Sequence, residues 1–178
     1  MARAGRASHH RAMAQLTWVY EDERLVLARA RSLCLAGWRD APLADHIRRW
    51  HELGRSIART HRGAGACIDV IYGGTPRFSD DMRREAERFS ADTTIFDIGF
   101  AHVILVPGMV GSAVRAFVST IVLVGRSGSP TKVTGDMAGA VAWMAPRLAP
   151  HGWTAAELSA ACDELSARTT AGSPERTP

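Results

Sequence analysis

The chain alternates between short apolar runs and longer amphipathic segments. Residues 16–32 change face at every second position on either side of an acidic break, which predicts a β-hairpin with residues 21–23 at its tip. From Pro42 to Arg62, apolar residues recur at spacings of three, four and seven, which predicts an amphipathic helix. This helix is expected to end at the glycine-containing segment 63–65.

Three further strand–helix pairs follow along the chain. Buried strands are predicted from β-branched and apolar runs over residues 66–74, 97–107 and 131–135, and we expect the segment 97–106 to be central in the sheet. Helices are predicted over residues 79–89, 109–124, 136–149 and 153–167. In the last of these, Thr154 and Glu157 have the spacing of a capping box.

This order of elements predicts an α/β domain with a mixed sheet of about five strands covered by helices, plus a C-terminal helix. The expected divisions are a disordered leader at 1–15, the domain at 16–150, the helix at 151–168 and a disordered tail at 169–178. The 178 residues are 46% apolar and 22% charged, which is a globular composition and excludes wholesale disorder.

The charge balance adds little about partners. The formal charge is +4, and all the basic residues except Lys132 are arginines, which fits phosphate recognition or a GC-rich genome. Because the arginines form no clustered face in the sequence, we expect no nucleic-acid partner. No apolar run is long enough to span a membrane, and no secretory signal is present. Three cysteines without paired spacing predict reduced thiols in the cytoplasm.

Candidate chemistry is sparse. His46 and His51 are five residues apart on the first helix and do not share a face, so we predict no metal site, cofactor or catalytic residue. An enzyme is the third choice among the function classes. Asp69 interrupts an apolar strand, and a buried acid there would cap a turn or pair with an arginine. His102 lies in the strongest strand, as a core histidine or a base.

A strand-to-helix turn offers a candidate ligand site. Gly108, Gly111 and Ser112 follow the strongest strand and open a helix, where free backbone N–H groups could bind an anion or a small ligand. The alternative is a turn that packs strand and helix closely, because the motif is neither a dinucleotide fingerprint nor a P-loop.

The second half of the chain resembles the STAS-like class, the fold of anti-sigma-factor antagonists. The resemblance covers about Leu16 to Ala149 and is carried by Arg115 and Phe117, by Lys132 and Val133, and by Ala140, Trp143 and Met144. It implies a helix-covered sheet that binds proteins and has no enzymatic activity. In the family, a phosphorylatable serine lies in an Asp-Ser-Ser/Thr-Gly loop after an aspartate-bearing strand.

The matching loop of this chain is a candidate regulatory or contact surface. It contains Thr75, Arg77, Ser79 and Asp80, and no glycine follows Thr75 or Ser79 as in the family motif. Ser79 is either a phosphorylation site or simply the N-cap of the next helix. The leading hypothesis is therefore a non-catalytic, STAS-like interaction or signalling module in a bacterial cytoplasm, with a protein partner or self-association. The alternative is a small-ligand or lipid-binding module that uses the Gly108–Ser112 turn.

Overall fold

The computed structural model describes residues 15–74, 79–92, 95–124 and 128–172. These residues form six strands and five helices. The elements are β1 (Thr17–Glu21), β2 (Leu25–Ala30), β3 (Leu33–Trp38), α1 (Ala44–Thr60), β4 (Ala66–Ile71), α2 (Asp80–Ala91), β5 (Gly99–Ile104), α3 (Gly108–Val124), β6 (Thr131–Thr134), α4 (Met137–Leu148) and α5 (Ala155–Ala171).

All six strands belong to one mixed sheet, and their order in the sheet is their order in the sequence. The pairs β1–β2 and β2–β3 are antiparallel, whereas β3, β4, β5 and β6 run parallel to one another. The predicted α/β class and the C-terminal helix are confirmed. The sheet has one strand more than the five or so expected.

The additional strand is β3. Its sequence, LCLAGW, is buried at all six positions because helices cover both faces of the sheet at this point. It therefore lacks the alternation of a half-buried strand, and its alanine and glycine have low β-propensity. The hairpin β1–β2 was predicted, but β3 was not.

An irregularity in β1 allows both sheet faces to receive an aromatic side chain. The register of β1 against β2 shifts between Trp18 and Tyr20, as at a β-bulge. Trp18 consequently packs against the core on one face and Tyr20 against the core on the other. The hairpin turn is closed by Asp22, whose Oδ1 accepts hydrogen bonds of 2.8 Å from the N–H groups of Arg24 and Leu25.

Helices cover both faces of the sheet. On one face, α1 and α2 bury an aromatic cluster that includes Trp50, Phe89 and Phe96. On the other face, α4 and α5 bury a larger aliphatic cluster against β2–β5. The helix α3 contributes Val114 to a third cluster with Ile104, on the face of α1 and α2. The apolar stripe predicted for α1 is thus its buried face.

The segment expected to be central has two neighbours and is covered by helices. β5 pairs with β4 on one side and with β6 on the other, so it lies one strand in from an edge. The most central strands are β3 and β4, and β3 joins the antiparallel half of the sheet to the parallel half.

The C-terminal helix begins at the predicted capping box. Oγ1 of Thr154 accepts from the N–H of Glu157 at 3.2 Å, and Oε2 of Glu157 accepts from the N–H of Thr154 at 2.8 Å. α5 then continues to Ala171, so residues 169–171, expected in the tail, are helical. Thr169 is fully buried, and its carbonyl accepts a 2.8 Å hydrogen bond from Arg39. The expectations for the leader at 1–14 and the tail at 173–178 lie outside the described residues.

Candidate functional site

The parallel half of the sheet gathers the beginnings of four helices at one edge. β3, β4, β5 and β6 are parallel, so their carboxyl ends lie at the same edge, and α1, α2, α3 and α4 follow these ends. In open α/β sheets this edge is where ligands and partners usually bind. We call it the carboxyl edge. It contains the described members of both groups of residues that the sequence singled out.

The first group lies at the start of α2. Oγ of Ser79 accepts a 3.2 Å hydrogen bond from the N–H of Met82, so Ser79 is the N-cap of the helix. Asp80 lies in the first turn and contacts Arg83 at 3.4 Å. Thr75 and Arg77 lie outside the described residues. Ser79 is thus exposed, and its hydroxyl has a structural role as the cap of α2.

The second group lies at the start of α3. Gly108 has a φ of +69°, a conformation that favours glycine, and a Cβ on Gly111 would overlap the carbonyl oxygen of Val106. Oγ of Ser112 donates to the Gly108 carbonyl at 3.3 Å and accepts from Arg115 at 3.1 Å. The turn is therefore a close strand-to-helix connection whose polar side chains bond to each other.

Apolar side chains are exposed at the same edge. Met109 and Val110 begin α3 and are 90% and 53% exposed, and Leu43 precedes α1 and is 53% exposed. The first turn of α3 contains no acidic residue, in contrast to α1 and α2. These exposed apolar side chains lie at the starts of two helices that follow β3 and β5, and they are candidate contact residues on the carboxyl edge.

Asp69 and His102 form a buried polar pair that the sequence did not connect. They are register partners in β4 and β5, and Nδ1 of His102 lies 2.8 Å from Oδ1 of Asp69. Oδ1 is buried, and no N–H points at it with hydrogen-bond geometry. Among the described residues, the His102 ring is the polar group that lies against this buried oxygen, and a buried polar atom without a well-aligned hydrogen bond is costly in an apolar interior.

The surroundings of this pair are apolar and aromatic. The ring of Phe100 lies against that of His102, with centroids 4.2 Å apart. The pair separates the aromatic cluster under α1 and α2 from the aliphatic cluster under α3. The sequence expectation that Asp69 would cap a turn or pair with an arginine is wrong for the described residues, because its partner is a histidine.

A second histidine–aspartate pair is structural. Nε2 of His46 lies 2.9 Å from Oδ2 of Asp22, and Nδ1 accepts from the N–H of Leu43 at 3.1 Å, so both ring nitrogens have partners. Burial alone raises the pKa of Asp22, but hydrogen bonds from Arg24, Tyr20, Leu25 and His46 outweigh it and lower the pKa to about 2. The pair ties the β1–β2 turn to the start of α1.

The three cysteines are buried and free. Cys34 and Cys67 are register partners in β3 and β4. Burial and the neighbouring Cys34 thiol raise the pKa of Cys67 well above its ordinary value, and burial raises that of Cys162 to about 12. The thiols of Cys67 and Cys162 are therefore protonated at neutral pH and are poor nucleophiles.

No family model, curated protein or solved structure matches this chain. Within the described ranges, no three His, Cys, Asp or Glu side chains are grouped to hold a metal ion. None of the described helices has the length and apolar character needed to cross a membrane.

Proposed function

We propose that this chain is a STAS-like protein-interaction or signalling module of the bacterial cytoplasm, which binds its partner at the carboxyl edge and has no catalytic role. The observation that carries the proposal is the exposure of Leu43, Met109 and Val110 at helix starts on that edge. Ser79 caps α2, which lies between α1 and α3 in chain order, so the phosphorylation candidate belongs to the same edge.

The resemblance to the STAS-like class is compatible with this geometry. Of the residues that carry it, Ala140 and Met144 are buried in α4, and Trp143 lies under Arg147 at 3.9 Å. These positions support packing of a helix on the sheet. Contact with a partner is left to the exposed helix starts.

The alternative function, ligand or lipid binding at the Gly108–Ser112 turn, has weaker support. Ser112 and Arg115 bond to each other and to carbonyls of their own chain, and Gly111 is packed against Val106. A ligand at this turn would have to break these contacts.

The experiment that tests the proposal compares surface variants in quantitative affinity capture from the source organism. Met109→Glu places a charge on the contact surface, and its exposure means that folding is unaffected. Ala167→Glu, on the exposed side of α5, is the matched control. We expect a stoichiometric partner that the wild type and Ala167→Glu retain and Met109→Glu loses. Equal recovery by all three proteins would refute the carboxyl edge as the contact surface.

Ser79 is tested by two further variants. If Ser79 is a phosphorylation switch, Ser79→Asp alters partner affinity while the free energy of unfolding barely changes. If it is only a cap, Ser79→Ala lowers the unfolding free energy by about 1 kcal/mol, Ser79→Asp changes it little, and partner affinity is the same for all three proteins.

A further inference from the structure

A groove lies between the edge strand β1 and the helix α1, away from the carboxyl edge. Its volume is about 500 Å³, and its floor includes the buried side chains of Leu27 and Leu53. The residues that line it are Thr17, Trp18, Val19, Tyr20, Leu27, Arg29, Arg49, Glu52, Leu53 and Ser56.

The lining residues define an elongated shape. They include four consecutive β1 positions, Thr17–Tyr20, which extend over about 10 Å at the rise of a strand. On the opposite wall, the two turns of α1 from Arg49 to Ser56 extend over about the same distance at the helical rise. A slot with these walls has the length of three or four residues of extended chain.

One wall of this groove is a strand with an unpaired edge. Among the described strands, β1 pairs only with β2, so its other edge has main-chain N–H and C=O groups free to pair. The shift between Trp18 and Tyr20 interrupts the register, and Val19 is 48% exposed at this point. A bulged edge of five residues opposes long sheet extension but leaves room for a short added strand.

Three charged side chains line the groove: Arg29 on β2, and Arg49 and Glu52 on α1. Arg29 is the register partner of Thr17, is exposed, and makes no ion pair with any described residue. Arg49, at the Tyr20 end, is bound to Asp45 at 2.7 Å and lies over the Tyr20 ring. Arg29, at the Thr17 end, is therefore a groove cation without an ion-pair partner among the described residues. An anionic group complements it, whereas Glu52 lies on the opposite wall.

We propose that the groove binds a short extended peptide of a partner protein, which pairs with the edge of β1 and places an acidic side chain against Arg29. Main-chain pairing supplies affinity in this mode of recognition, and side chains at alternate positions supply specificity. Residues 1–14 of the chain are a poor occupant by charge, because they contain three arginines and no acid.

The test uses two libraries of blocked tetrapeptides, acetyl-Xaa-Xaa-Xaa-Asp-amide and the same library with Lys at the last position. NMR of the full chain follows the amide resonances of β1, and hydrogen exchange follows their protection. We expect the Asp library to shift and protect β1 amides, and its best peptide to bind at least about tenfold more tightly than its Lys counterpart. N-methylation of the peptide backbone is expected to abolish this protection.

Charge reversal decides the role of Arg29. Arg29→Glu should reverse the preference from Asp to Lys peptides, whereas Arg59→Glu, an equal charge change on α1 outside the groove, should leave the preference unchanged. Equal effects of the two variants, or no shift of β1 resonances with either library, would overturn the proposal. So would a dimer of the free protein with protected β1 amides, because a second copy would then occupy the edge.

Discussion

Gly37 of β3 lies directly under Thr169 of α5. A Cβ at position 37 would overlap Oγ1 of Thr169, which itself donates a 2.8 Å hydrogen bond to the Leu165 carbonyl. The last turn of α5 can therefore reach the sheet only because residue 37 has no side chain. Arg39 fixes the same turn by donating to the Thr169 and Arg168 carbonyls.

Gly37→Ala is expected to lower the free energy of unfolding by about 1–3 kcal/mol, because an added methyl in a packed contact forces the helix away from the sheet. Urea denaturation of both proteins measures the change. The double variant Gly37→Ala/Thr169→Ala should recover most of the loss, since it removes the overlapping hydroxyl. A loss of the same size in the double variant would show that Thr169 is not the obstacle.

The elements with clear periodicity could be predicted from the sequence, and β3 could not. The apolar stripe of α1 and the alternation of β1 reflect elements that are partly exposed to solvent, which leaves a period in the sequence. β3 is covered on both sides, so no position in Leu33–Trp38 is polar. Cys34 of β3 pairs with Cys67 of β4, and this pair gives no sequence signal for β3 either, because both buried thiols act only as packing side chains.

The pair Asp69–His102 shows why a site is harder to predict than an element. Each residue is unusual in its own strand, but their proximity depends on the register that pairs Ala66 with Gly99. The predicted strand at 97–107 begins two residues before β5. If the predicted starts of the two strands are aligned, His102 lies two positions away from Asp69. A correct register was the missing information, and local pattern does not supply it.

The Asp69–His102 pair should be strongly coupled in a double-mutant cycle. His102→Leu alone leaves a buried carboxylate without its partner and is expected to lower the free energy of unfolding by about 3 kcal/mol. Asp69→Val/His102→Leu replaces the pair with apolar side chains, so it should cost less than His102→Leu alone. Urea denaturation of the two single variants and the double variant gives the coupling energy.

The controls for this cycle are on the same sheet face. Cys34→Val and Cys67→Val also change register partners in neighbouring strands, but neither removes a charge. Additive effects for Asp69 and His102 would contradict the inferred coupling between the two side chains. Loss of partner capture in the stable double variant would instead give the pair a part in binding.

The three thiols should resist modification in the folded protein. Burial raises the pKa of Cys67 and that of Cys162, which disfavours their thiolates. All three side chains are buried, which limits access of a reagent. Ellman's reagent at pH 8 should therefore detect almost no thiol in the native chain and three per chain in denaturant. Detection of a single thiol in the denatured, unreduced protein would instead indicate a disulfide between two of them.

Asp22 should make the stability of the protein depend on pH below about 5. Its pKa is lowered from 3.8 to about 2 by the hydrogen bonds that close the β1–β2 turn, so the unfolded chain binds a proton more readily than the folded chain does. The contribution is complete above the unfolded pKa and is lost as pH falls from about 4 to about 2, a difference of roughly 2 kcal/mol.

Asp22→Asn retains an oxygen that accepts from Arg24 and Leu25 but does not titrate. The stability advantage of the wild type over this variant, measured by urea denaturation, should shrink steadily between pH 5 and pH 2. Asp163→Asn, an exposed change on α5, serves as the control, and an advantage over Asp22→Asn that stays constant with pH would rule out the assigned role of the Asp22 carboxylate.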